Sequence, residues 1–333
     1  MSVLVVGGAG YIGSHAVTTL VRQGESVIVV DNLSTGHAEA VHKDAVFYYG
    51  DLRDEVFLTD VFQNESVDAV MHFAADSLVG VSMQEPLSYY NNNVGGANSL
   101  LKVMVDYDVN KIVFSSTAAT YGEPESVPIV ENDRTIPTNP YGETKLAIER
   151  MLHWTKKAHD LNYVVLRYFN VAGADLEGTI GEDHHPETHL IPIVLQVAAG
   201  KREAIHVFGD DYPTPDGTCI RDYIHVQDLV DAHILALKYM NETNKSGTFN
   251  LGNGNGYSVK EVIDIVSEVT GKDIPAVVSA RRAGDPAQLV ASSEKAQSVL
   301  GWKPQYASLE SMVESAWAWY EKHPEGYVTK IHS

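Results

Sequence analysis

Tyr141 and Lys145 stand at i and i+4 in Asn139-Pro140-Tyr141-Gly142-Glu143-Thr144-Lys145. Asn139 is a favourable N-cap and Pro140 suits the first helical position, so a helix should open here and run to about His159. The phenol and the ammonium then share one face of it. A phenol is a poor base at neutral pH, because its ordinary pKa is near ~10. A fixed ammonium beside it favours the phenolate and pulls that value toward the working range. Tyr-x-x-x-Lys pairs also decorate ordinary helix surfaces, so the pair acquires a catalytic meaning only if the chain supplies a redox partner. Thr117, in a hydroxyl cluster Ser115-Ser116-Thr117 that leaves an expected strand at Lys111 to Ser115, is placed to hydrogen-bond a reacting oxygen. Ligands bind at such carboxyl ends of strands in open α/β sheets.

The redox partner is indicated at the start of the chain. Val3-Leu4-Val5-Val6 reads as a parallel strand buried on both faces, and it runs into glycines at Gly7, Gly10 and Gly13. A helical pattern from Ser14 to Arg22, a stop at Gly24 and a second apolar strand, Ser26 to Val30, end in Asp31. Strand, glycine turn, helix, strand and acid in that order form the dinucleotide fingerprint, with the acid at the required ~20-residue spacing. The glycines let backbone approach a pyrophosphate, and the helix N-terminus offers free N–H groups and a positive dipole end. Asp31 is placed to accept from ribose hydroxyls and repels the additional phosphate of NADP. The cofactor reading is therefore NAD. The G-x-x-G-x-x-G spacing is that of short-chain dehydrogenases.

The βα alternation continues to about Arg167. Asp51, after Phe47-Tyr48-Tyr49-Gly50, is an acid at a strand end, in reach of an adenine. Ala69 to His72 is a strand, followed by Phe73-Ala74-Ala75, small enough for backbone to lie against a cofactor. Asn91-Asn92-Asn93 open a helix running to about Tyr107; they can equally cap the chain or touch the cofactor. After Tyr168 the alternation loosens into shorter strands, loops and the helices Leu190 to Ala199, Val226 to Met240 and Ser258 to Gly271. The expected fold is α/β: a doubly wound parallel Rossmann-type sheet with a smaller C-terminal α/β substrate domain. Residues 1–170, with a returning segment at about 222–250, form the NAD-binding domain, and 171–333 the substrate domain. Trp302, Trp317, Trp319 and Tyr320 read as core.

Composition narrows the partners. The 333 residues carry 24 Lys+Arg against 44 Asp+Glu, a net charge of -20, which argues against nucleic acid or an anionic membrane surface. A single cysteine, Cys219, excludes an intrachain disulfide and a thiolate zinc site. With no basic leader and no run long enough to span a bilayer, the expected location is the cytoplasm. His184, His185 and His189 could suggest a metal, but they lie in a Pro- and acid-rich loop without His-Glu-x-x-His geometry, so no metal site is expected. Arg221 and Arg281-Arg282 are candidates to clamp a diphosphate with their guanidinium forks; surface ion pairs are the competing reading.

Assembled, these stretches resemble the extended short-chain dehydrogenase/reductases, and among them the sugar-nucleotide epimerases. The resemblance runs nearly end to end. It covers the Gly7–Gly13 loop, Asp31-Asn32-Leu33-Ser34, Gly50-Asp51-Leu52, His72-Phe73-Ala74-Ala75, Ser115-Ser116-Thr117-Ala118, Asn139-Pro140-Tyr141-Gly142-x-x-Lys145 and Leu166-Arg167-Tyr168-Phe169-Asn170. Tyr212-Pro213-Thr214-x-Asp216-Gly217-Thr218 through Arg221-Asp222-Tyr223 is the part most particular to the epimerases. The resemblance implies reversible interconversion of UDP-glucose and UDP-galactose in galactose metabolism. Tyr141 would take the proton of the sugar 4-hydroxyl while NAD takes the C4 hydride, and the 4-keto sugar would rotate and be reduced on its other face. It implies that Thr117 assists Tyr141 and that Lys145 holds the nicotinamide ribose. Cofactor contacts would come from Gly7, Gly10, Tyr11, Ile12, Gly13, Asp31, Asn32, Asp51, Leu52, Phe73, Ala74, Ala75, Asn92, Ser115, Tyr141, Lys145 and Tyr168. Substrate contacts would come from Thr117, Tyr141, Asn170, His189, Leu190, Val207, Phe208, Arg221, Tyr223, Arg282 and Asp285. A homodimer is implied, with contacts through about 93–107 and 141–159. Three positions depart from the family pattern: Ser77 replaces a lysine found in some members, His189 an asparagine, and Leu289 a tyrosine. A 4,6-dehydratase would need an acid pair after Thr117, where Ala118-Ala119 stand. A non-catalytic NAD-binding scaffold need not keep both Tyr141 and Lys145.

Overall fold

Successive residues of a strand face opposite sides of its sheet, so the apolar run at Val3–Val6 requires cover on both. The computed structural model, which describes residues 1–281 and 286–328, supplies it. In chain order the first strands are β1 (Ser2–Val6), β2 (Ser26–Asp31), β3 (Val46–Tyr49), β4 (Ala69–His72), β5 (Lys111–Ser115) and β6 (Asn162–Tyr168). They are followed by β7 (Asn170–Ala172), β8 (Ile205–Phe208), β9 (Ile220–Arg221), β10 (Tyr223–His225) and β11 (Gly247–Leu251), then β12 (Tyr257–Ser258), β13 (Ala276–Ser279) and β14 (Gln288–Leu289). A seven-stranded sheet in the order β11-β6-β5-β4-β1-β2-β3 forms the centre, and all of its pairings are parallel.

Val3 and Val5 face α1 (Tyr11–Arg22), packing with Val17 and Leu20, and with Leu229, Val230 and Leu237 from the later helix Val226–Thr243. Leu4 and Val6 face the other layer. There they meet α2 (Glu55–Asn64) through Leu58 and Val61; beyond α3 (Val79–Gln84) and α4 (Pro86–Tyr89) come α5 (Gly96–Asp106), through Leu100 and Met104, and α6 (Pro140–His159), through Ile148 and Leu152. A second core gathers α7 (Leu190–Ala198), α9 (Val259–Thr270) and α10 (Leu309–Lys322), α8 being the helix Val226–Thr243 just described. There Val194, Val262 and Val313 are fully buried. Short sheets β10-β7, β13-β8 and β12-β9-β14 edge this second core.

Helix ends follow local chemistry. Asn139 caps α6 by accepting from the Gly142 N–H at 2.9 Å, with Pro140 in the first turn. Ser258 and Glu261 form a reciprocal capping box on α9, and Gly271 ends that helix at φ +65°. One expectation changes. Asn91-Asn92-Asn93 do not open a helix but lie inside one, in a π-helical stretch Tyr90–Gly95 between α4 and α5. Asn93 is buried and its amide is fully engaged, accepting from Asp76 N at 2.8 Å and donating to Asp76 O and Thr144 Oγ1 at 3.0 Å each. β9 and β10 are separated at Asp222, whose buried carboxylate turns inward to accept from Asn253 N and Ala291 N. Trp302 and Trp319 are buried, as their apolar setting suggests, and Trp302 donates to Asp228 O at 2.8 Å.

Candidate active site

The end of β1 turns through Gly7, which sits at φ +79°; a Cβ there would come within 2.6 Å of Ala74 N. A Cβ on Gly13 would stand 2.0 Å from Gly7 O, so the turn and α1 close on each other only without side chains. Gly10 differs. A Cβ there would meet nothing nearer than Gly7 O at 3.5 Å, which leaves the mouth of the turn open. Gly10 is also the N-cap of α1 and provides no side-chain cap, so the first-turn N–H groups face this opening. Asp31, at the end of β2, accepts from Ala9 N at 3.0 Å and Leu33 N at 2.8 Å, which ties it to the turn; burial raises its carboxyl pKa. A cradle that rejects side chains, a free helix N-terminus and an acid beside them suit a dinucleotide with an unphosphorylated ribose.

Asp51 is engaged by its neighbours. Its carboxylate is held by Arg53, through Nε at 2.8 Å and the backbone N at 2.9 Å, and it accepts from Asn32 at 3.1 Å. The Arg53 guanidinium keeps it well below the usual carboxylate range. Asp51 thereby ties Asn32 and Arg53 together beside the ends of β2 and β3, with Leu52 packed under α5. Phe73 and Ala74 donate their N–H groups to Val6 O, so their backbone is bound to the sheet. Ile12 packs into the first core, Tyr11 donates its hydroxyl to Gly173 O at 2.5 Å, and Asn92 bonds Asn93 and Asp76. Ala75 is half-buried and Ser77 exposed.

Beyond β5, Thr117 caps a short 3-10 turn, Ala118–Thr120, by accepting from Ala119 N at 3.1 Å, and its side chain hydrogen-bonds the Tyr141 phenol. Lys145 is buried, donates to Ser115 O at 2.8 Å and lies 6.0 Å from the centre of the Tyr141 ring. Ser115 Oγ reaches Tyr168 at 2.7 Å and His233 at 3.1 Å. The three residues expected to act together are thus together. Their electrostatics correct the expectation: burial pushes the Tyr141 phenol up to about 12, with the Thr117 bond opposing, and pushes Lys145 down to about 7 against Glu149. Without further positive charge, the cost of burying an anion dominates at Tyr141, and only the Thr117 bond opposes it.

Two residues past Tyr168, Asn170 enters a cavity of about 380 Å3 that His189, Leu190, Phe208, Arg221 and Tyr223 also line. Val207 is buried in the second core instead, because strand alternation turns it away from Phe208. Arg281 is partly exposed; it pairs with Asp211 at 2.6 Å and covers the Tyr212 ring at 4.1 Å, the surface pairing rather than a clamp. Arg282 and Asp285 lie outside the described residues. Leu289 packs with Ala118, Tyr121 and Ile129, next to Thr117.

Several participants carry no sequence signal. Glu149, one turn beyond Lys145, holds Arg167 through paired contacts at 3.0 and 2.5 Å and accepts from Ser116 at 2.6 Å. Arg202 joins the cavity wall. Glu182 and Glu187 converge on His184 and His189. For both imidazoles burial opposes charge, but the carboxylates prevail, pushing His184 up to about 9 and His189 up to about 10.

Residues 3–252 match the model of the NAD dependent epimerase/dehydratase family, and the chain belongs to that family. It is 63% identical over 330 residues to the UDP-glucose 4-epimerase of Halalkalibacterium halodurans, a match covering 99% of this chain and 98% of the relative. A crystal structure of a UDP-glucose 4-epimerase, 63% identical, superposes with a TM-score of 0.97 over 99% of this chain and 100% of that one. The UDP-glucose 4-epimerase of Bifidobacterium longum, solved in complex with NAD+ and UDP, is 41% identical with a TM-score of 0.93, over 98% of this chain and 100% of that one.

Proposed function

We propose that this protein interconverts UDP-glucose and UDP-galactose by reversible oxidation at the sugar C4, in galactose metabolism. The observation that carries this reading is the Tyr141 phenol hydrogen-bonded to Thr117, with Lys145 one turn along the same helix and an open glycine cradle at the neighbouring strand end. NAD, when bound in the glycine cradle, would supply the hydride acceptor and donor that a reversible oxidation at C4 requires. Tyr141 takes the proton of the 4-hydroxyl and later gives it back, while Thr117 fixes the phenol toward the reacting oxygen. Lys145 anchors to Ser115 O and presents its charge to the ribose and the phenol. Residues 1–170, with about 222–250 returning through α8 and β11, hold NAD. Residues 171–333 hold the UDP-sugar, with Asn170, His189, Leu190, Phe208, Arg221 and Tyr223 lining its cavity. Elimination of water is disfavoured by Ala118, buried beside Thr117 where a dehydratase needs an acid. Purified protein given UDP-galactose is expected to yield UDP-glucose without added NAD, and to release NAD on denaturation. A 4-keto-6-deoxy product would replace this reading with a dehydratase.

The cavity between α5 and α6 supports a homodimer. Leu101, Lys102, Met151 and Trp154 line it, and Trp154 is 65% exposed, a large apolar side chain to leave in water. A second copy would cover these helices. Light scattering should give twice the chain mass for the wild type and a shift toward the monomer for Trp154→Glu; a wild-type monomer would remove the proposal. Among the described residues no helix is long and apolar enough to cross a membrane, in keeping with the proposed cytoplasmic location.

A further inference from the structure

Between β7 and α7 the chain folds four ligand-type side chains onto one point. Glu182, His184, Glu187 and His189 each present one oxygen or nitrogen, and these atoms all lie within 4.8 Å of one another. His189 Nδ1 stands 2.9 Å from Glu182 Oε1 and 3.0 Å from Glu187 Oε1, and His184 Nδ1 stands 3.1 Å from Glu182 Oε1 and 3.8 Å from the other Glu187 oxygen, Oε2. Four donors bonded at ~2.0–2.2 Å around a tetrahedral zinc ion lie about 3.3 Å from one another, and these contacts straddle that spacing. The charges also fit. Two carboxylates and two imidazoliums balance without an ion, and a divalent cation that displaces the two protons leaves that balance unchanged; both carboxylate side chains are nearly buried, at 8% and 4% exposure.

The ligands are oriented by their surroundings. Glu187 Oε1 accepts from the backbone N–H groups of Thr188 and His189, both at 2.7 Å, which fixes the carboxylate between the rings. The intervening Asp183 accepts at its backbone oxygen from His37, at 3.0 Å, and at its carboxylate from Tyr327 N, at 2.9 Å. Two distant parts of the chain, at His37 and Tyr327, therefore hold the loop in the shape that brings the four groups together.

We propose that Glu182, His184, Glu187 and His189 bind one divalent metal ion of the zinc class. Two nitrogens and two carboxylate oxygens form a borderline donor set, and four protein ligands leave no open position, the arrangement of a structural rather than a catalytic site. Its position gives it a task. His189 is the N-cap of α7, whose Leu190 and Ile193 line the sugar-nucleotide cavity, and the His184 ring meets Tyr11 edge-on at 6.4 Å, beside the glycine cradle. The ion would fasten the wall of one to the other.

The test uses full-length holoenzyme and reads metal, so it stands apart from the epimerase reading. Protein is stripped with dipicolinate, reloaded with Zn2+, passed through gel filtration and assayed by atomic emission. Wild type is expected to retain one equivalent per chain and to give intense tetrahedral visible bands with Co2+. Glu182→Gln and Glu187→Gln are each expected to weaken zinc affinity by at least ~10-fold. If a variant does not fold, the Co2+ spectrum of the wild type decides alone. Retention well below one equivalent, equal retention by the folded variants, or only weak octahedral Co2+ bands would overturn the site and leave the cluster as a network of protonated histidines and carboxylates.

Discussion

With Tyr141 replaced by phenylalanine, conversion of UDP-galactose is expected to fall by on the order of 10²- to 10⁴-fold, the usual weight of one positioned acid–base group, while the NAD released on denaturation stays at the wild-type amount. The substitution removes one oxygen and leaves the Asn139 cap and the α6 backbone in place. Thr117 keeps its bond to Ala119 N but loses its phenol partner. The pH dependence carries the mechanism. Burial pushes the phenol up to about 12 and Lys145 down to about 7, so in the bare protein Tyr141 is protonated at neutral pH. A base that must first ionise gives a rate that rises with pH until ionisation is complete. A bound cationic nicotinamide favours the phenolate and moves that limb toward neutrality. The wild-type rate should therefore climb with pH from the acid side, and the residual rate of Tyr141→Phe should lack this limb. Undiminished turnover, or an unchanged limb in the variant, would take Tyr141 out of the reaction.

Glu149→Gln is expected to cost about 3–5 kcal/mol of stability in denaturant unfolding. Glu149 and Arg167 have side chains only 8% exposed, and their paired contacts at 3.0 and 2.5 Å leave each as the other's principal countercharge. Neutralising Glu149 strands the guanidinium, whose remaining partner in this network is the Tyr121 hydroxyl at 2.9 Å. Replacing both residues by apolar ones, Glu149→Leu with Arg167→Met, should recover much of the loss, because the guanidinium is then no longer buried without its carboxylate. The single substitution should also be felt at the reaction. Glu149 is the group that opposes the fall of the Lys145 pKa. Without it Lys145 gives up its proton at lower pH, so the alkaline fall in activity should begin earlier. A Glu149→Gln protein that unfolds at the wild-type denaturant concentration would show that the pair contributes nothing net.

The chemistry-bearing residues were legible because local rules place them. The Gly7–Gly13 turn, Asp31 at a strand end, and Tyr141 and Lys145 on a helix capped by Asn139 each depend on neighbours in sequence. The βα alternation that orders the sheet depends on the same short-range pattern. These determine a parallel, nucleotide-binding fold with a phenol–ammonium pair at its edge.

Other features depend on groups far apart in the chain, and for them periodicity carries no information. Asn93 looked like a helix opener because its preference for caps is local; inside a helix its amide is satisfied by Asp76 and Thr144. For Arg281 the sequence left a clamp and a surface ion pair open, and it pairs with Asp211 and covers Tyr212 at the surface. Spacing put the ammonium beside the phenol but not the dielectric around them, so only burial reveals that Tyr141 is held protonated until charge arrives. The histidine run shows the same division. His184 and His189 lacked metal-binding spacing on a helix, and it is the fold of their loop, held by His37 and Tyr327, that turns Glu182 and Glu187 toward them.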